Sequence, residues 1–157
     1  MTRDAKADEG FGGLPPDAFD FVFSNELKRA IRSQNFLTLV LIEAKPTDPA
    51  ANVDEEVAVR QVARIIGREV RETDLLAERD KGELSLVLLD ADLQNSMHVV
   101  DRLLARFSNY EFAIPVVIEV AAACCPTDGT DPETLRRAAR AGTALPRKAG
   151  GNTSNSQ

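Results

Sequence analysis

Residues 35–43, NFLTLVLIE, make a leucine-rich, β-branched run of strand length that stops just before Lys45-Pro46. Such a run reads as a central strand, and Pro46 disfavours its continuation. A second apolar run, 112–125 (FAIPVVIEVAAACC), reads as a longer strand, with Pro115 inside it pointing to an edge position or a bulge. Both strands need apolar cover, and the chain supplies it at helical spacing. Between residue 15 or 16 and about 33, Phe19, Phe23, Leu27 and Ile31 recur every four residues behind a proline start. Asp54-Glu55-Glu56 place acidic residues at the start of a second helix, where the macrodipole favours them, and Val59, Val62, Ile66 and Val70 form its buried stripe.

A third helix over 93–107 turns Leu93, Met97, Val100, Leu104 and Phe107 inward, which leaves Arg102 facing solvent. The last helix opens at Asp131-Pro132-Glu133, an N-cap followed by proline at the first helical position, and runs to near Pro146. Between the second and third helices, residues 74–79 and 83–89 read as short strands joined by the turn Asp80-Lys81-Gly82, whose glycine supplies the backbone freedom a tight turn needs. The order is helix, strand, helix, strand, strand, helix, strand, helix. It predicts an α+β fold with a largely antiparallel sheet flanked by helices.

At 157 residues and 43% hydrophobic content the chain fits one domain with a sizeable core. The polar segments 1–12 and 151–157 bury too little apolar surface to offset their ordering entropy, so the domain spans 13–150 between two flexible tails. With 25 acidic against 19 basic residues the net charge is −6, which argues against DNA or RNA as a partner. Fourteen of the 19 basic residues are Arg, the cation suited to planar, bidentate recognition of a local anion. No apolar run is long enough to cross a membrane and the N-terminus lacks the features of a secretory signal, so a cytoplasmic location is expected.

His98 is the only histidine, which leaves a histidine metal cluster or a Ser/His/Asp triad almost nothing to work with; it reads as a helix-surface residue. Cys124 and Cys125 are adjacent and have no second pair at metal-ligand spacing. They read as small buried hydrophobes, with a redox pair as the alternative.

The segment Arg71-Glu72-Thr73-Asp74, followed after five residues by Asp80-Lys81-Gly82-Glu83-Leu84, carries the functional signal. An Arg fork can donate two hydrogen bonds to the Hoogsteen edge of guanine, and a carboxylate can accept from its ring N–H and amino group. The bland alternative is a surface ion pair at a helix end, worth roughly 0 to 1 kcal/mol.

Over nearly its whole length the chain resembles a GGDEF domain, the fold of diguanylate cyclases. Gly13-Leu14-Pro15 resembles the family's opening motif, LTLVLIEAK its first strand, RQVARIIGREVRETDLLAER its helix and following strand, and PTDGTDPETLRRAA its later turn and helix. The resemblance implies the family's nucleotide-cyclase-like palm. It also implies a particular use for each motif position. The Gly-Gly-(Asp/Glu)-Glu-Phe signature falls on Asp80, Lys81, Gly82, Glu83 and Leu84, of which only Glu83 matches. Side chains at Asp80 and Lys81 obstruct the close approach of nucleotide that two glycines allow, and Gly82 replaces a metal-ligating carboxylate. Glu43 stands where the first-strand metal ligand would be, Lys45 occupies the next acidic position, and Glu56 can stand in for a guanine-reading acid. Arg147 or Lys148 is the remaining candidate for a phosphate-side cation.

These departures imply a domain that is not an enzyme and needs no metal. The family's inhibitory Arg-x-x-Asp, by contrast, falls on Arg71 and Asp74, and counting from the signature adds Arg102 as a third ligand-binding residue. The expected function is a cyclic di-GMP receptor, the ligand bridging this domain to a second copy or to a protein partner. A structural interaction module without nucleotide binding and a weak diguanylate cyclase are the alternatives.

Overall fold

The computed structural model describes residues 13–48, 55–79, 82–112, 114–142 and 147–149. In chain order the elements are α1 (Pro16–Ser33), β1 (Leu37–Pro46), α2 (Glu55–Glu69), β2 (Leu75–Glu78), β3 (Glu83–Leu89), α3 (Leu93–Ser108), β4 (Val116–Cys125), α4 (Pro132–Arg140) and β5 (Arg147–Ala149). The strands form one sheet in the order β2-β3-β1-β4-β5 with every neighbouring pair antiparallel. This is the expected α+β architecture, with β1 at its centre.

β1 lies between β3 and β4, and its side chains alternate between two cores. Val40, Ile42 and Ala44 pack with Val59, Val62 and Ile66 of α2 and with Val100 and Phe107 of α3. Leu37, Leu39 and Leu41 pack with Phe19, Phe23 and Leu27 of α1 and with Leu135 and Ala139 of α4. Two helices on each face are what an uninterrupted apolar strand requires, because neither face of it can be left wet.

Several sequence expectations shift by a residue or two. The buried face of α1 ends at Ala30, and Ile31 is 46% exposed. Steps of four residues advance about 40° beyond a full turn each time, so the fourth member of that series has rotated off the core. In α3 the buried positions are Ser96, Val100, Leu103 and Phe107, with Leu93 and Leu104 only partly buried on the flank. Pro115 precedes β4 instead of lying inside it, and β4 is an interior strand paired with both β1 and β5. β1 continues through Lys45 and Pro46, which pair with Val117 and Val116. Helix α4 ends at Arg140, short of the expected Pro146, and β5, which the sequence reading lacks, follows it. The expected tails, 1–12 and 151–157, lie outside the described residues.

Local chemistry fixes the element ends. Asp92 caps α3 by accepting the Asn95 N–H (2.8 Å), and Asp131 caps α4 by accepting that of Thr134 (2.9 Å). The Leu14 N–H donates to the Leu76 carbonyl (2.9 Å), so the segment leading into α1 covers part of the β2 edge. Among the described residues no helix is long and apolar enough to cross a membrane.

Candidate functional site

The β2–β3 hairpin places both candidate motifs at opposite ends of the same two strands. At one end, Gly82 has φ 82°, the left-handed conformation a glycine accepts without strain, and its carbonyl takes the Ala44 N–H at 2.8 Å. Asp80 and Lys81 lie outside the described residues. Glu83 begins β3 in register with Glu43 of β1, which stacks two carboxylates side by side. Each is met by a cation of the chain itself. Both oxygens of Glu83 accept from Nη2 of Arg140 (2.9 and 3.1 Å), and Glu43 lies 3.2 Å from the Lys45 ammonium.

Behind Glu83, α4 and α1 close a second polar cluster over the sheet. Arg136 donates to the buried Ser85 hydroxyl (3.0 Å), and Arg79 pairs with Asp20 at 2.6 Å. The Arg136 side chain is 11% exposed and lies over the Phe19 ring at 5.9 Å. Burial, then repulsion from Arg79, lowers its pKa from the usual arginine value. Arg136 and Arg140 thus tie α4 to the signature strand, and Asp20 of α1 meets Arg79 and Arg136.

At the other end of the hairpin, Arg71 and Asp74 bracket the turn between α2 and β2. Asp74 is only 3% exposed, unlike the partner in a surface ion pair. One of its carboxylate oxygens accepts the Arg71 N–H (3.0 Å) and the other the Leu89 N–H (3.2 Å), so it pins the turn to the end of β3. The Arg71 guanidinium is 61% exposed, donates to the Leu89 carbonyl at 2.6 Å and stands 3.5 Å from Asp74. Arg102 faces outward from α3, 54% exposed, and donates to both the carboxylate (3.4 Å) and the carbonyl (3.3 Å) of Glu69. Glu69 precedes Arg71 by two residues at the end of α2, so Arg102 meets the segment that carries the motif.

The sequence reading does not include Glu69, Arg106 or Arg140. Arg106 meets Glu69 at 2.7 Å from the turn of α3 after Arg102, and the repeat of Arg at 102 and 106 was the available signal. Glu56 is exposed at the start of α2, where it lies 3.9 Å from Arg60. His98 is exposed, and Cys124 and Cys125 are buried free thiols whose pKa values are raised by burial. Among the described residues no group of three or more His, Cys, Asp or Glu is placed to hold a metal ion. The side chains of Arg147 and Lys148 are not among those described.

No family model matches this sequence, and no curated protein matches it. Solved structures do, and they are GGDEF domains. A sensory box/GGDEF family protein from Caulobacter crescentus is 16% identical over 83% of this chain and 90% of its own, with a TM-score of 0.73. The FimX GGDEF domain from Pseudomonas aeruginosa is 14% identical over 84% and 87%, TM-score 0.72. The active GGEEF domain of a diguanylate cyclase from Vibrio cholerae is 12% identical over 80% and 85%, TM-score 0.68. The chain therefore has the GGDEF-domain fold.

Proposed function

We propose that this domain binds cyclic di-GMP through Arg71, Asp74 and Arg102 and does not synthesise it. The observation that carries the silent half of this reading is that Glu83 and Glu43 are each paired with a cation of the chain, Arg140 and Lys45. A carboxylate already paired with a cation of the chain is a poorer ligand for a divalent metal, and Gly82 brings no carboxylate to replace it. The binding half rests on two exposed guanidiniums, Arg71 and Arg102, held beside the same turn. Asp74 acts as the clamp that sets this turn and holds Arg71 in place.

Ligand on these residues bridges the domain to a second copy or to a protein partner. The burial of Asp74 favours one competing reading, a structural module in which the motif serves only the fold. Two measurements separate them. Arg71→Ala lowers affinity for cyclic di-GMP by about 1 to 3 kcal/mol through loss of a bidentate base contact; equal affinity of wild type and variant rejects the site. Incubation with GTP and Mg²⁺ or Mn²⁺ followed by product chromatography yields no cyclic di-GMP above a no-protein control. Turnover there rejects the silent assignment.

A further inference from the structure

Helices α2 and α3 lie side by side and antiparallel. Gln61 of α2 reaches the Tyr110 hydroxyl just beyond α3 (3.4 Å), and Glu69, two turns later, reaches Arg102 and Arg106. Between them opens a cavity of about 390 Å³ lined by Ile65, Arg68, Glu69, Arg106, Asn109 and Tyr110. That volume falls in the range of small-molecule sites. Its charge is lopsided. Arg68 and Arg106 line it with one carboxylate, Glu69, which also pairs with Arg102 beside the cavity, and among the described residues Arg68 has no ion pair.

Glu69 engages two different guanidiniums, one through each oxygen, at 3.4 Å to Arg102 and 2.7 Å to Arg106. Its side chain is 14% exposed, whereas those of Arg102 and Arg106 are 54% and 65% exposed. The carboxylate therefore sits below the two arginines, and their outer N–H groups face solvent. A tetrahedral phosphate diester carries the same charge and offers the same pair of acceptor oxygens, so it competes with Glu69 for these two guanidiniums.

We propose that this cavity is a phosphate subsite, with Arg106 and Arg68 as further ligand-binding residues, and that Glu69 is the internal carboxylate a ligand phosphate displaces from Arg102 and Arg106. The identity of the ligand as cyclic di-GMP rests on the function proposed above; the subsite itself rests on the arginine geometry. Glu69 then sets the affinity threshold. A ligand without an anionic group cannot compete for the pair, and one that carries a phosphate must outbid a carboxylate already in place.

The test is calorimetric titration of cyclic di-GMP into wild type, Glu69→Gln, Arg106→Ala and Arg71→Ala, with thermal melts to confirm that each is folded. Glu69→Gln keeps the side-chain shape and removes the competing charge, so it binds about three- to tenfold tighter. Arg106→Ala binds about tenfold weaker through loss of a charge-assisted contact. If wild type binds and Arg71→Ala binds more weakly, but Glu69→Gln binds no tighter or Arg106→Ala is unchanged, the subsite is overturned and the parent reading stands. If neither wild type nor Glu69→Gln gives heat, both fall. Arg106 is exposed, so its arm of the comparison decides the matter even if Glu69→Gln loses the fold.

Discussion

Replacing Asp74 with alanine is the sharpest perturbation of the turn that carries the candidate site. The side chain is 3% exposed, and its oxygens take the N–H groups of Arg71 and Leu89. Removing it strands the part-buried Leu89 donor, at about 1 to 3 kcal/mol. The Arg71 donor is exposed and can turn to water, so its loss adds less than about 1 kcal/mol. The ion pair with a largely exposed Arg71 contributes a few tenths of a kcal/mol. Together these give about 1 to 4 kcal/mol, or a melting temperature lower by about 2 to 16 °C for a domain of this size. Asp74→Asn, which keeps one acceptor oxygen, falls between. Differential scanning calorimetry on wild type, Asp74→Ala, Asp74→Asn and Arg71→Ala reads the series. A melting temperature for Asp74→Ala within about 1 °C of wild type refutes the clamp. The result also governs binding experiments: lost affinity in Asp74→Ala reports the turn as much as any base contact, whereas Arg71→Ala leaves the backbone donor in place.

Two further predictions follow from titratable groups. Hydrogen bonds from Thr134 lower the pKa of the Asp131 carboxyl, so its contribution to folding is present above its unfolded pKa and is lost as pH falls through the folded one. The melting-temperature gap between wild type and Asp131→Ala is therefore widest near neutral pH and closes below about pH 4; a gap that stays constant down to pH 2 contradicts the cap. Burial raises the pKa of both thiols, which are 2% and 0% exposed, so a thiol reagent at pH 8 labels Cys124 and Cys125 far more slowly in native buffer than in urea. Equal rates in the two solvents contradict their burial.

What the sequence made legible was local. Periodicity placed α1, α2 and α3, the Asp131-Pro132 cap placed the start of α4, the apolar runs placed β1 and β4, and the glycine at 82 placed the hairpin, because each is decided within a few residues. The strand β5 escaped, since three residues of RKA carry no period of their own and are ordered only by pairing with β4. Residue identities at the candidate site were legible through register, but their surroundings were not. Leu89 donates to Asp74 from 15 residues away, Glu69 and Arg102 are 33 apart, and Glu83 and Arg140 are 57 apart. No window of sequence holds such pairs together; the sheet register and the packing of α2 on α3 do. That is why Asp74 read as a base contact or surface ion pair, and emerges as a buried clamp. It is also why Glu83, the one matching signature residue, gave no sign of the arginine that holds it.

Titration of the wild-type domain with cyclic di-GMP by isothermal calorimetry tests the central claim most directly. Recognition without synthesis predicts saturable binding with a dissociation constant of about 1 µM or below, near −8 kcal/mol. Absence of saturable heat up to about 100 µM ligand contradicts it and leaves the motif as a device of the fold.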